Sequence, residues 1–347
     1  MSAPPDAPES RAHLAWRRLG TPKDGFRYEN RGGVPIVGRA QLGRIEALRI
    51  PPAWTDVEIS SNPSAELQAV GRDAKGRLQY LYHPRTVEER ERAKFARQPR
   101  FGERLPEIRD RTNADLRRGA VDRDAVCATV VRLIDEAYFR VGSERYAEQN
   151  RTYGITTLCV NHVKVLGDAL LFTYRGKSGH DHRTVLLDPV LGEAVERILE
   201  LPGRRLFRYV DEGGEVRNLC AHDVNRYIKA SMGGRASAKD FRTWHGTLIA
   251  AEHLAEAGPQ PSPRGRARRV TAAVKEVAAL LGNTPAVARA AYINPVVFDW
   301  YAAGVTIEDH VRRAERRVRA ERLPYDPNEV ALLALLRRRR APAVEAA

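Results

Sequence analysis

Residues 85–100, RTVEERERAKFARQPR, place nine charged side chains in sixteen positions. So polar a segment cannot own a core, and it reads as a solvated, helix-prone connector. It also separates two stretches of different hydrophobic period. Before it, apolar residues occur in short runs between turns. After it, they recur every three to four residues. Strands grouped first and helices grouped second predict an α+β chain: a small N-terminal β-rich domain followed by a larger, mainly α domain.

The boundaries follow from local composition. Residues 1–24 are rich in Pro and Ala and are expected to form a loose tail. Residues 25–90 form the β-rich domain. Within it, 34–37 is a short apolar run, and 39–48 carries Leu42, Ile45 and Leu48 at helical spacing until Pro51-Pro52 ends the helix. Residues 66–72 and 77–83 flank the turn Asp73-Ala74-Lys75-Gly76, a hairpin signal. The connector proper is 91–100, and 101–347 is the second domain.

In that second domain, Val126, Val130, Leu133, Ile134, Ala137 and Tyr138 lie on one helical stripe, with Asp122 placed to cap it. The helical pattern then breaks. Residues 160–166, 169–175 and 183–187 read as a three-stranded antiparallel sheet, with Gly167-Asp168 and 176–179 as its turns. Helices are expected at 189–200, 223–232 and 238–257. A Pro/Gly/Arg linker at 258–269 follows, then helices near 270–281 and 285–293, and two more toward the basic end at 337–340. No internal repeat is present.

Charge and cysteine usage narrow the function classes. There are 58 Lys and Arg against 44 Asp and Glu, a formal net charge of +14. Eight of the basic residues are Lys, so fifty are Arg. Coding bias accounts for part of that ratio but not for the surplus charge, which points to a polyanionic partner whose phosphates suit forked guanidinium donors. Cys127, Cys159 and Cys220 are far apart, which excludes a disulfide scaffold and argues against a cysteine zinc site. No apolar run is long enough to span a membrane, and MSAPPDAPES lacks a signal pattern, so a cytoplasmic protein is expected.

The individual motifs are weak. Gly176-Lys177-Ser178 fails as a nucleotide-binding loop, because Leu171 stands where its first glycine belongs and no helix follows. What remains is a lysine at a hairpin tip. His180 and His182 share a strand face, but no third metal ligand is evident nearby. Gln79, Tyr80 and Tyr82 form either a half-buried packing face or a polar-aromatic surface suited to phosphate and base contacts. Asn283 and Thr284 both qualify as caps of the helix begun by Pro285, near whose end Tyr292 lies. Arg140 could be a surface residue favoured by the preceding helix C-terminus, and Arg242 could be paired with an acid.

Their order is informative. Arg140, Lys177 in a hairpin, Arg242 at a helix start, Asn283 and Tyr292 recur within longer strings: IPPAWTDV (50–57), GRDAKGRLQYLYHP (71–84), RVGSERYAEQN (140–150), YGITTL (153–158), RGKSG (175–179), AKDFRTWHGT (238–247) and LGNTPAVARAAYINP (281–295). Over nearly its whole length the chain resembles the type IB DNA topoisomerases in their compact bacterial and poxvirus form. The resemblance implies the catalytic fold shared with the tyrosine recombinases, and a two-domain clamp around duplex DNA.

It also implies the chemistry. Tyr292 matches the nucleophile that forms a 3′-phosphotyrosine and frees a 5′-hydroxyl. Arg140 and Arg242 match the arginines that bind the phosphoryl oxygens, Asn283 a third donor, and Lys177 the general acid. Gln79, Tyr80, Tyr82, Arg145, Tyr146 and Lys239 match DNA-contacting positions. No cofactor, metal or ATP is implied. Poxvirus and eukaryotic members have histidine where this chain has Asn283, and an amide donates but does not titrate. A tyrosine recombinase is the alternative; those enzymes usually carry histidine where Lys239 stands and lack the IPPAWTDV domain. A non-catalytic DNA clamp is a third reading, against which the intact five-residue set argues.

Overall fold

The computed structural model describes residues 13–321 and 325–338. The chain forms two compact units, Met1–Lys94 and Phe95–Ala347.

The first unit is built on a five-stranded antiparallel sheet of order β2-β1-β3-β4-β5. Its strands are β1 (Leu14–Thr21), β2 (Gly25–Asn30), β3 (Thr55–Ser60), β4 (Leu67–Arg72) and β5 (Leu78–Tyr82), with helix α1 (Arg39–Ala47) between β2 and β3. β1 corrects the expected tail over 13–24; the remainder of that tail, 1–12, lies outside the described residues. Leu14 and Trp16, at 2% and 8% exposure, are buried in separate clusters on the two faces of the sheet, with a bulge between them, and β1 pairs with both β2 and β3. The composition of the first dozen residues masked this strand, and the bulge removes the simple alternation that would have marked it. Trp16 packs with Ile45, Val57, Ile59 and Ala69, and burying such a side chain contributes about 2–3 kcal/mol. In the IPPAWTDV string, Arg18 donates to the carbonyls of Pro51 (3.2 Å) and Trp54 (2.6 Å). The Trp54 ring lies over Gly71, where a methyl group would come within 2.7 Å of it. The β4–β5 hairpin stands where the turn residues predicted it. Residues 34–37 form no strand; Val34 and Val37 are exposed, while a Glu29–Pro35 bridge and the bond from Ile36 N to Tyr28 O (2.8 Å) hold the run against β2 and Ile36 packs on the core.

Helix α2 (Pro84–Ala96) carries the chain to the second unit, followed by α3 (Gln98–Glu103) and α4 (Leu105–Arg117). The expected solvated connector therefore ends early. Gln98 and Phe101 are 4% and 8% exposed and belong to the second unit's interior, because Gly102 lets α3 lie flat on the Trp244 ring. The stripe predicted at 126–138 is α5 (Arg123–Ala137), capped by Asp122, whose carboxylate accepts from Ala125 N at 2.9 Å.

The interruption after α5 contains α6 (Glu144–Asn150) and a three-stranded antiparallel sheet of order β6-β7-β8: β6 (Val163–Leu166), β7 (Ala169–Arg175) and β8 (Asp181–Leu187). Residues 160–162 are a 3₁₀ turn rather than strand, closed by Cys159 N donating to His162 Nδ1 at 3.0 Å. Leu170, Phe172 and Tyr174 of β7 face the core. Beyond α7 (Pro189–Leu199), a short hairpin of β9 (Arg208–Val210) and β10 (Val216–Asn218) was not foreseen. α8 (Ala221–Met232) and the central α9 (Ala238–Ala257) follow.

The expected linker at 258–269 is half helix. Ser262 Oγ accepts from Gly265 N (3.1 Å) and Pro263 opens α10 (Pro263–Leu280), so a cap and an N-terminal proline outweigh the segment's glycine content. α11 (Pro285–Ala291), α12 (Val296–Ala302), α13 (Glu308–Glu321) and α14 (Pro327–Arg337) complete the described chain, one helix more than the periodicity indicated. Arg109 of α4 bridges Asp135 of α5 (2.8 Å) and Glu329 of α14 (2.7 Å), while His245 of α9 meets Asp135 at 2.7 Å. This buried network sets the central helices in register. Among the described residues no helix is long and apolar enough to cross a membrane.

Candidate active site

Arg140 is placed by two reversals. α5 ends at Tyr138, whose left-handed backbone (φ 59°) donates to Ile134 O at 3.2 Å and turns the chain. Residues 140–142 then lie along the turn at 154–157: Ile155 N donates to Arg140 O (2.7 Å) and Thr156 N to Val141 O (2.8 Å). A methyl on Gly154 would sit 2.5 Å from Gly142 Cα and 2.7 Å from Arg140 O. The RVGS and YGITTL strings are thus two halves of one backbone contact that holds Arg140.

Arg242 lies one turn into α9. The helix starts on a capping box in which Asp240 accepts from Ser237 N (2.9 Å) and Ser237 Oγ (2.7 Å). Arg242 is 4% exposed. It donates to the carbonyl of Tyr138 and, at 2.7 Å, to that of Leu281. Among the described residues it has no acidic partner. Burial, and then the neighbouring Arg140 cation, push its pKa down to about 10. Its Nε is buried and unpartnered.

Of the two cap candidates, Thr284 is the cap of α11, accepting from Val287 N at 3.4 Å. That leaves the Asn283 side chain for another task. Arg140 Nη2 donates to Asn283 Oδ1 at 2.6 Å and also to the Gly282 carbonyl. A guanidinium only donates, so the amide oxygen faces Arg140 and the amide nitrogen faces away. That nitrogen is buried with no partner. An unmet buried donor costs about 1–3 kcal/mol, and this one belongs to the side chain that Arg140 holds.

Tyr292 caps the other end of α11, its N–H bonded to Ala288 O at 3.0 Å. Its backbone rests on Gly246 of α9, where a methyl would lie 2.7 Å from the Tyr292 carbonyl. Just beyond it, Asn294 donates from its backbone to Thr247 Oγ1 (3.0 Å) and from its amide to Gln98 Oε1 (2.8 Å), while Gln98 donates to Thr247 Oγ1 (2.8 Å). This buried polar cluster seats the tyrosine. The Arg242 guanidinium lies over its ring, 5.1 Å from the centroid. Burial pushes the phenol up, but Arg242, Lys239 and Arg140 outweigh it, so Tyr292 ionises below the ordinary phenol range.

The structure therefore brings Arg140, Arg242, Asn283 and Tyr292 together. Lys177 stands apart from their contacts. It sits in a 3₁₀ turn (Lys177–Gly179) joining β7 to β8, is exposed, and among the described residues has no hydrogen-bond or ion-pair partner. Strands on both sides of the turn exclude a nucleotide loop. His180 and His182 are not joined by a third ligand: among the described residues, no group of three His, Cys, Asp or Glu is placed to hold a metal ion.

The remaining expected residues are dispersed. Lys239 is exposed on the first turn of α9. Arg145 and Tyr146 lie in α6, with side chains outside the described residues. In the first unit, Gln79 donates to Asp73 Oδ2 at 2.9 Å. Tyr80 and Tyr82 stack at 6.3 Å and pack half-buried on Leu14, Leu67 and Val70, with Arg90 over Tyr82. Sequence reasoning missed Gln98, Thr247 and Asn294. The Gly246-Thr247 pair inside a helix was the signal available, since glycine there implies a close backbone approach.

Residues 83–313 match the family model of the eukaryotic DNA topoisomerase I catalytic core, and residues 25–73 match that of the bacterial DNA topoisomerase IB N-terminal domain. The chain is 31% identical to the DNA topoisomerase 1B of Acanthamoeba polyphaga mimivirus over 267 residues, 75% of this chain and 80% of the relative. It is 22% identical to the DNA topoisomerase 1B of vaccinia virus (strain Copenhagen) over 276 residues, 74% and 80% of the two chains. Matches that extend over both units place this chain in the type IB DNA topoisomerase family, whose members are isomerases.

Proposed function

We propose that this protein relaxes supercoiled DNA of both signs by cutting one strand, letting it rotate about the other, and resealing it, without ATP or a divalent metal. The observation that carries this reading is the convergence, from four segments onto one spot, of Tyr292, two guanidiniums that among the described residues have no acidic partner, and an unmet amide donor. Tyr292 Oη attacks the phosphorus; the Oη–P bond forms and the P–O5′ bond breaks. Arg140, Arg242 and Asn283 Nδ2 meet the charge that grows on the phosphoryl oxygens. Lys177 gives the departing 5′ oxygen its proton, and a hairpin tip is a suitable carrier. One phosphodiester replaces another, so the step is nearly isoenergetic and the reverse reaction reseals the strand.

The lowered phenol pKa supports attack without a dedicated base. The net charge of +14 supports a duplex substrate, with Gln79, Tyr80, Tyr82, Arg145, Tyr146 and Lys239 as further contacts. A monomer suffices, and the nucleoid is where such a substrate lies. The match over residues 25–73 supports relaxation rather than recombination. Positively and negatively supercoiled plasmids, incubated separately in chelator without nucleotide, should both yield relaxed ladders. Loss of activity in chelator, or a need for ATP, would overturn the proposal.

Asn283→Ala separates the amide's role from stability. The variant loses one bond from Arg140 and also removes an unmet buried donor worth about 1–3 kcal/mol, so stability should change by less than about 1 kcal/mol. Single-turnover cleavage should fall roughly 10²-fold, as for loss of one oxyanion donor. A lowered melting temperature with an unchanged rate would return Asn283 to a structural role.

A further inference from the structure

The imidazole of His182 lies against two glycine backbones belonging to two different parts of the site. A methyl on Gly176, at the base of the Lys177 turn, would sit 2.5 Å from His182 Nε2. One on Gly282, beside Asn283, would sit 2.7 Å from His182 Cε1. Gly282 needs glycine for its own backbone (φ +60°). Gly176 does not: its φ of −93° and ψ of −167° suit any residue. What demands glycine at 176 is the ring.

The ring is fixed from beneath. It stacks on Tyr174 at 5.2 Å and 12°, and Tyr174 stacks on Phe139 at 5.8 Å and 24°, immediately before Arg140. Among the described residues, neither ring nitrogen has a hydrogen-bond partner, so the contacts are ones of shape. The hydrogen bonds of residues 176–180 all close within the hairpin: Gly176 N to His180 O (2.8 Å), Gly179 N to Gly176 O (3.1 Å) and Arg175 Nε to Gly179 O (3.2 Å). They shape the tip without tying it to the loop that carries Asn283.

We propose that His182 is a positioning residue that locks the Lys177 turn to the Gly282–Asn283 loop, so that the proton donor and the phosphoryl-oxygen donors are held in register. A wedge between two backbones acts through van der Waals contact, which falls away with a gap of half an ångström, and general acid catalysis depends on placement to a similar tolerance. The proposal rests on Lys177 being the general acid.

The test compares an ordinary phosphodiester with one whose 5′ bridging oxygen is sulfur, a leaving group that needs no proton. His182→Ala should cleave the ordinary substrate at least tenfold more slowly, approaching the ~10²–10⁴-fold worth of a general acid. It should cleave the sulfur substrate within a few-fold of the unaltered protein. Lys177→Ala, measured alongside, tests the underlying reading: if sulfur fails to rescue it, Lys177 is not the acid, whatever His182 does. If Lys177→Ala is rescued while His182→Ala is equally slow on both substrates, or unimpaired on both, the positioning role is wrong.

Gly176→Ala gives a second measurement that does not depend on removing a packed ring. On its own it should show the same sulfur-rescued defect. Combined with His182→Ala it should add almost nothing, since the vacated ring volume accepts the methyl. Independent, multiplying defects in the double variant would overturn the proposal, as would a Gly176→Ala protein with full rate on the ordinary substrate.

Discussion

Tyr292→Phe is expected to bind duplex DNA within a few-fold of the unaltered protein and to form no covalent adduct with it. The substitution removes one oxygen. The ring keeps its seat against Gly246 and its place beneath the Arg242 guanidinium, and a cation over an aromatic face is retained by phenylalanine. The backbone cluster of Gln98, Thr247 and Asn294 is untouched. In the proposed mechanism Tyr292 Oη is the atom that bonds phosphorus, so its loss should be total in effect and local in structure. Denaturing electrophoresis after incubation with labelled duplex reads it directly. DNA-linked protein from this variant would move the nucleophile elsewhere.

Lys177→Ala should show the next largest loss. Without its proton the 5′ alkoxide is a poor leaving group, and general acid catalysis is worth typically ~10²–10⁴-fold. The side chain is exposed and unpaired among the described residues, so its removal should leave the melting temperature unchanged. A 5′ bridging sulfur should restore the cleavage rate. A uniform loss on both substrates, with weaker binding whose deficit shrinks as salt rises, would make Lys177 a phosphate-binding charge instead.

The elements that were legible in the sequence are those whose cause is local. Asp122 begins α5, Pro285 begins α11, and the Asp73-Gly76 and 176–179 turns close their hairpins, because caps and turns are short-range chemistry. β1 was lost for the opposite reason. Leu14 and Trp16 sit close behind a Pro/Ala-rich stretch, and their burial depends on β3, some forty residues away. The start of α10 was lost because Pro and Gly were read as breakers where Ser262 and Pro263 make a cap.

The candidate site divides along the same line. The longer strings that carry Arg140, Lys177, Arg242, Asn283 and Tyr292 were sufficient to identify the family and its fold class. Local sequence also settled that Asn283 and Thr284 precede a helix. Which of the two caps it, which way the Asn283 amide points, and why its nitrogen is left free were decided only when Arg140 met the loop 143 residues later. The depressed Tyr292 phenol and the wedge of His182 between Gly176 and Gly282 belong to the same class. Helix and strand periods record which face of an element is buried. They do not record which partner from elsewhere in the chain lies against it, and orientation, desolvation and charge proximity depend on that partner.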